Sequence, residues 1–281
     1  MQLEKILPKK GPSIEDVKKY IDKYKNEIIV IKCGGSVLLD SNLFDHFIQD
    51  ISIIKKIGLS IIVIHGGGKN IKKKLDQNGI KTKFINGLRV TDINTIKLVD
   101  EALTELNNDI THKLIKNGCN ARSITIKNKI IKVNPLSDEL GYVGNPKIIN
   151  CKTIKDILEK KVLPVISPMG IGEDEKIYNI NADIAAGSIA KALNSRRLLL
   201  MTDVDGVLDK NKKLISELNS KDAIKMIKNG IIQGGMIPKI NTCIDAVNNG
   251  VTAVGIIDGR RLHSILFELL SEKGAGTLIR Q

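Results

Sequence analysis

The chain carries two short apolar runs of the same design, Ile28-Ile29-Val30-Ile31 and Ile61-Ile62-Val63-Ile64. Neither alternates with polar residues, which is the pattern of a parallel strand buried on both faces. Each run stops at glycines, Gly34-Gly35 and Gly66-Gly67-Gly68, and a helix-like stretch follows. Strand patterns recur at 27–32, 60–65, 121–127, 162–167, 196–202 and 251–257. Helical periodicity appears at 14–24, 42–57, 68–78, 92–117, 153–160, 182–193, 219–229, 236–249 and 260–271. This alternation predicts βαβ units and an α/β fold with a mostly parallel sheet. The segment 126–150 departs from it: Asn134-Pro135, Gly141 and Asn145-Pro146 among short β-prone pieces predict hairpins. A boundary near 170–180 would divide the chain into two lobes with a cleft between them.

Composition narrows this picture. With 281 residues, 42% of them apolar, the chain can bury a full core. No run of 18 apolar residues occurs, so no membrane helix is expected. The first eleven residues are basic but lack the apolar stretch of a signal peptide, so a cytoplasmic location is the expectation. Cys33, Cys119, Cys151 and Cys243 form no C-x-x-C pair, and the four histidines do not cluster. Neither a metal site nor a disulfide framework is expected. The net charge of +13 raises nucleic acid as a partner. The lysines are dispersed, however, and 3% aromatic content leaves few surfaces for base stacking. Compositional drift toward Ile, Lys and Asn explains the charge better.

The glycine turns carry the candidate chemistry. A residue without Cβ lets backbone N–H groups approach an anion, and a following helix N-terminus adds its dipole. Lys32 stands two residues before the first glycine of the first turn. There is no G-x-x-x-x-G-K-[ST] and no G-x-G-x-x-G, so the commonest nucleotide motifs are absent. His65-Gly66-Gly67-Gly68 matches an esterase oxyanion loop, but no G-x-S-x-G accompanies it. Asn179-Ile180-Asn181-Ala182-Asp183 places three short polar side chains ahead of a small-residue helix, as a helix cap or a ligand-facing wall. Thr202-Asp203-Val204-Asp205-Gly206 follows a strand, where α/β ligands tend to bind or where Asx turns simply end a strand. Gly234-Gly235-Met236-Ile237-Pro238-Lys239 opens another helix with a glycine pair and a lysine.

Taken in order, K-x-G-G-S, H-G-G-G, N-G-L-R-V-T, N-x-N-A-D, T-D-V-x-G-V and G-G-M-I-P-K resemble the amino acid kinase family from about residue 20 to Ile279. The segment Asn86-Gly87-Leu88-Arg89-Val90-Thr91 is similar to the branch that phosphorylates the γ-carboxylate of N-acetyl-L-glutamate with ATP in arginine biosynthesis. The resemblance implies a three-layer sandwich, an acceptor lobe over 27–175 and an ATP lobe over 176–281. It implies Lys32 and Lys239 as the charges that neutralise the transferring phosphoryl, with Asp183 holding both. It assigns Gly67, Gly68, Arg89, Asn179 and Asn181 to the acceptor, and Gly34, Gly35, Thr202, Asp203, Gly206, Gly235 and Met236 to ATP and its phosphates. Mg²⁺ would arrive with ATP, held mainly by phosphate and water. An acceptor one methylene longer, sometimes presented on a carrier protein, is the nearest alternative. A regulatory sensor without catalysis would require a broken lysine pair, and both lysines are present.

Residues 1–26 precede the first strand. Ser13 followed by Glu15 and Asp16 reads as a helix start, and Val17, Tyr20, Ile21 and Tyr24 make one apolar stripe. Such a helix can pack on its own domain. By resemblance, it instead joins dimers into a hexamer inhibited by L-arginine, with Tyr20, Glu272 and Gly274 at the arginine site.

Overall fold

The computed structural model describes residues 3–281. The two residues before them, part of the 1–26 segment, lie outside the described residues. In chain order the elements are α1 (Ile14–Lys23), β1 (Ile28–Cys33), α2 (Ser41–Lys56), β2 (Ser60–His65), α3 (Gly68–Gln77), β3 (Phe84–Ile85), β4 (Leu88–Arg89) and α4 (Ile93–Lys116). There follow β5 (Ala121–Ile124), β6 (Ile131–Pro135), β7 (Gly144–Ile149), α5 (Cys151–Glu159), β8 (Leu163–Ile166), β9 (Met169–Ile171), β10 (Ile177–Asn179) and α6 (Ala182–Ala192). The last are β11 (Arg197–Thr202), β12 (Glu217–Asn219), α7 (Ser220–Lys228), α8 (Met236–Asn248), β13 (Ala253–Asp258), α9 (Ser264–Leu270) and β14 (Gly276–Arg280).

Eight strands form the central sheet in the order β12-β14-β13-β11-β1-β2-β8-β5. Only the β13–β14 pair is antiparallel. The two apolar runs of the sequence are its middle, β1 and β2, paired in register with Lys32 opposite Ile64. Strand alternation sorts their side chains. Ile29, Ile31, Cys33, Ile61 and Val63 join one core with α1, α2, α9 and the later turns of α4. Val30, Ile62 and Ile64 join the opposite core with α5, α6, α7 and α8. The architecture is therefore the expected α/β three-layer sandwich with a mostly parallel sheet.

Some expectations are revised. The strand expected over 121–127 stops at Ile124, because Thr125 and Asn128 close a capping box around a single 3-10 turn. The helix expected from residue 260 starts at Ser264. Asp258 explains the delay: its carboxylate accepts from the Arg260 backbone N–H and guanidinium, which holds 258–263 as a turn. The tail beyond the last helix, where no strand is expected from sequence, contains β14. Its Gly276 lies so close to Ile256 that a Cβ would come within 2.0 Å of the Ile256 carbonyl oxygen. The hairpin in 126–150 is β6–β7, part of a separate four-stranded sheet with β9 and β10.

Two buried polar contacts tie helices to this frame. His263 and Asp50 meet at 2.7 Å, joining the start of α9 to α2. Arg197, at the start of β11, pairs with Glu268 of α9, and the other Glu268 oxygen accepts from the Ala275 N–H at 2.9 Å. Removing one partner of such a pair strands the other charge in a low-dielectric interior. Glu268→Ala is expected to lower unfolding stability by about 3–5 kcal/mol in urea titration. Leu262→Ala, at a side chain 51% exposed, is expected to stay within about 0.5 kcal/mol. Equal stability of the two variants would remove the Arg197–Glu268 pair from the account of this fold.

Candidate active site

A cleft of about 220 Å³ opens at the C-terminal end of β1 and β2. Its walls hold Lys32, Gly34, Gly35, Gly67, Gly68, Arg89, Asn179, Asn181 and Asp183. Alternation along β1 puts Lys32 on the α6/α8 face, beyond Val30. Asp183 lies in the first turn of α6 and Lys239 in the first turn of α8. The three side chains therefore converge. Lys239 Nζ donates to Asp183 Oδ2 at 2.5 Å. Lys32 Nζ stands 2.9 Å from Oδ1, an ion-pair contact without hydrogen-bond alignment. All three are largely shielded from solvent, at 11%, 17% and 11% side-chain exposure for Lys32, Asp183 and Lys239. Burial alone would push the Asp183 carboxyl upward, but the two ammonium groups outweigh it and hold its pKa at about 2.

The glycine turns take shape around this triad. Both backbone groups of Gly66 are engaged inward: its N–H donates to Cys33 O at 2.7 Å and its O accepts from the His65 ring at 2.8 Å. Nε2 of His65 faces the Asn107 amide at 3.1 Å, and that amide also donates to Val165 O. Burial lowers the His65 pKa to about 4, so the ring is neutral and sits as a strut beneath the second turn. A Cβ on Gly67 would come within 2.5 Å of the Leu103 side chain, which would have to shift to admit it. Gly67 caps α3 without a side-chain hydrogen bond, leaving first-turn N–H groups available to an anion. At α8, which starts after Gly235, the Met236 and Ile237 N–H groups donate instead to Gln233 O and Gly234 O, and Pro238 has none. Asn181, by contrast, caps α6 through its own side chain, accepting from Asp183 N at 2.9 Å, while lining the cleft.

Arg89 ends the β3–β4 hairpin. Asn86 and Gly87 both have positive φ, 49° and 80°, which is the two-residue turn that Asn-Gly favours. The guanidinium donates to Thr82 Oγ1 and Gly68 O, both at 2.9 Å, and stacks 4.8 Å from the Phe84 ring. Three of its five donors remain for a ligand. Burial pulls its pKa down, so a carboxylate entering beside it would be favoured.

The remaining sequence candidates lie elsewhere. Thr202 ends β11, and its carbonyl accepts from Gly259 N. The Asp203 carboxylate accepts from the backbone and hydroxyl of Ser36. Gly206, at φ 146°, packs against Thr277. Met236 begins α8 and packs partly on the core. Tyr20 stacks on buried Tyr24 in α1, and Lys19 of that helix pairs with Glu272. Gly274 has φ 66°, with Glu268 close beside it. Asn107, Thr82 and Phe84 carry no sequence signal of their own, and Ser36 and His65 appear in the glycine motifs without the roles found here. Asn86-Gly87 announces the hairpin that brings in Thr82 and Phe84; the partners of Ser36, His65 and Asn107 are too distant in sequence to carry a local signal. Among the described residues, no group of three or more His, Cys, Asp or Glu side chains could hold a metal. No helix of the described residues is long and apolar enough to cross a membrane.

Comparison with known proteins agrees with this geometry. The amino acid kinase family matches residues 27–258. The acetylglutamate kinase of Pelagibacter ubique is 53% identical over 281 residues, covering 100% of this chain and 98% of that protein. The acetylglutamate kinase of Clostridioides difficile is 42% identical over 268 residues, 93% of this chain and 94% of its own. The crystal structure of N-acetylglutamate synthase from Neisseria gonorrhoeae, complexed with coenzyme A and N-acetyl-glutamate, shares the fold with a TM-score of 0.86 at 20% identity. That likeness covers 96% of this chain but 64% of the synthase. With a match over most of its length and the lysine–aspartate–lysine cleft in place, this chain belongs to the amino acid kinase family.

Proposed function

We infer that this chain transfers the γ-phosphoryl group of ATP to the γ-carboxylate of N-acetyl-L-glutamate, the second step of arginine biosynthesis. The observation that carries the reading is Asp183 held between Lys32 and Lys239 at a cleft that Arg89 also lines. The curated relatives named acetylglutamate kinase support it over the full chain.

The chemistry fits these groups. The acceptor carboxylate has an ordinary pKa of about 4 and is ionised at neutral pH. No general base is needed. One carboxylate oxygen attacks the γ-phosphorus, the bond to the β–γ bridging oxygen breaks, and ADP leaves with the electron pair. The obstacle is repulsion between an anionic nucleophile and an anionic phosphoryl group, so catalysis is positioning and charge. Each lysine ammonium has three donors. Asp183 engages one side of each and leaves the rest to face phosphoryl oxygens. Lys32 serves the acceptor side and Lys239 the nucleotide side. Gly34, Gly35 and Gly235 offer backbone to phosphate, and Gly67 and Gly68 to the acceptor. Asn179 and Asn181 complete the acceptor wall, and Arg89 grips its α-carboxylate. Mg²⁺ is brought by ATP and offsets phosphate charge. The division of labour assigns residues 27–175 to the acceptor and 176–281 to ATP, with the reaction in the cytoplasm, where ATP is abundant.

The reading extends to regulation. The contact of Lys19 with Glu272 sets α1 beside the tail that includes Gly274, with Tyr20 on the same helix. These residues form the arginine site of the proposal, and α1 joins dimers into a hexameric trimer of dimers. Val17 and Tyr24 are buried in the chain's own core, so this role falls to the rest of the helix surface.

Lys32→Ala and Lys239→Ala are each expected to reduce kcat by about 100-fold or more, roughly 3 kcal/mol, with smaller changes in KM. Near-normal turnover of either variant would end the phosphoryl-clamp assignment. Arg89→Lys keeps the charge but loses the planar fork. It is expected to raise KM for acetylglutamate at least about tenfold, with KM for ATP little altered. A hydroxamate assay with N-acetylglutamate, N-acetylaminoadipate, glutamate and aspartate checks the acceptor, and preference for the aminoadipate would overturn it. Deleting residues 1–25 is expected to yield an active dimer that ignores arginine. Sedimentation of the full chain as a dimer with no response to millimolar arginine would refute the regulatory part alone.

A further inference from the structure

We propose that Asp203 acts on the reaction through Ser36, as a positioning residue by which the nucleotide half of the chain sets the shape of the first glycine loop. The proposal rests on the kinase reading above. Asp203 and Ser36 are 167 residues apart, yet they leave the adjacent central strands β11 and β1 at the same edge of the sheet. One carboxylate oxygen, Oδ1, accepts from both the Ser36 N–H at 3.0 Å and the Ser36 hydroxyl at 2.7 Å. Gly35 between Lys32 and this tie has φ 64°, and a Cβ there would come within 2.6 Å of Oδ1. The loop is thus pressed onto the carboxylate, and fixing the Ser36 peptide fixes the Gly34 and Gly35 peptides that precede it.

Burial of Asp203 opposes its charge, but the two Ser36 bonds, with Lys69 and Arg260 nearby, hold its carboxyl below the ordinary range. An ionised carboxylate makes the stronger acceptor. It could instead be read as a direct contact to the nucleotide or its Mg²⁺. The geometry favours the tie, because Oδ1 is already occupied twice by Ser36.

The test uses the full chain with Ser36→Ala, Ser36→Thr, Asp203→Ala and the Ser36→Ala/Asp203→Ala double variant. Amide hydrogen exchange, measured without ligands, reads the tie independently of activity. Exchange in a peptide spanning 34–38 is expected to accelerate in Ser36→Ala and Asp203→Ala, with Ser36→Thr close to wild type. In the kinase assay, Ser36→Ala is expected to lose about tenfold in kcat with less change in KM for ATP, as for one hydrogen bond to a charged group. Ser36→Thr should recover most of that loss, since it restores the hydroxyl. The double variant should be no worse than Asp203→Ala within about twofold. Losses that multiply in the double variant, or unchanged exchange in Asp203→Ala, would show that Asp203 does not work through Ser36. If Asp203→Ala fails to fold, unchanged exchange and kcat in Ser36→Ala overturn the proposal equally. A wild-type protein with the protected loop but no turnover of acetylglutamate would overturn the substrate reading and leave the tie standing.

Discussion

Two lysine ammonium groups cannot stand side by side in one poorly solvated cleft without a counter-charge, and Asp183 supplies it. Like charges in a poorly solvated cleft repel strongly. A nearly buried carboxylate between them turns repulsion into two ion pairs and is itself held ionised, with a pKa of about 2. Much of the architecture serves this contact. Alternation along β1 sends Lys32 to the α6/α8 side of the sheet. Helix α6 can lie close to the sheet because Ala185, Ala186, Gly187 and Ala190 give it a small-residue face. Gly187 also lets α8 approach: a Cβ there would meet Thr242 at 2.9 Å. That approach is what sets Lys239 against Asp183. The small-residue helix of the sequence thus has a mechanical meaning, which is the separation of two helix N-termini.

Capping choices mark the same edge of the fold. Helices α1, α2, α4, α5, α6 and α7 start at Ser13, Asp40, Asp92, Asn150, Asn181 and Asn219, and each of these side chains accepts from a first-turn N–H. Helices α3, α8 and α9 start at Gly67, Gly235 and His263 and have no such bond. A side-chain cap contributes about 1 kcal/mol to a helix. At α3 the missing cap leaves backbone donors facing the cleft, whereas α8 turns its first N–H groups to Gln233 O and Gly234 O, and the His263 ring at the start of α9 pairs with Asp50.

Signals of this local kind are what the sequence makes legible. Hydrophobic period and glycine stops locate β1, β2 and the helices behind them. Lys32, Asp183 and Lys239 are legible as a set only through the ordered motifs, since no local rule says that residues 32, 183 and 239 meet. The antiparallel β14 is hidden because Gly276-Thr277-Leu278-Ile279-Arg280 is short and glycine-led, and its strand character comes from pairing with β13. Arg89 is assigned by motif, while its turn follows from residue chemistry: Asn86-Gly87 between β-prone residues demands the hairpin found. The long-range polar contacts, Ser36–Asp203, His65–Asn107 and Arg197–Glu268, leave no trace in periodicity.

The electrostatic balance of the cleft follows from the same parts. In the proposed reaction, two lysines and one aspartate leave a single net positive charge for the transferring phosphoryl, and Arg89 adds one for the acceptor. His65 beneath the second turn stays neutral, since burial keeps its pKa near 4. A site with all these cations free would hold ATP and acceptor tightly in the ground state and gain little at the transition state. Asp183 moderates that attraction before reaction while keeping both ammonium groups oriented. Their alignment then needs no rearrangement when charge shifts along the line from carboxylate to leaving phosphate, which is where preorganised charge is most effective.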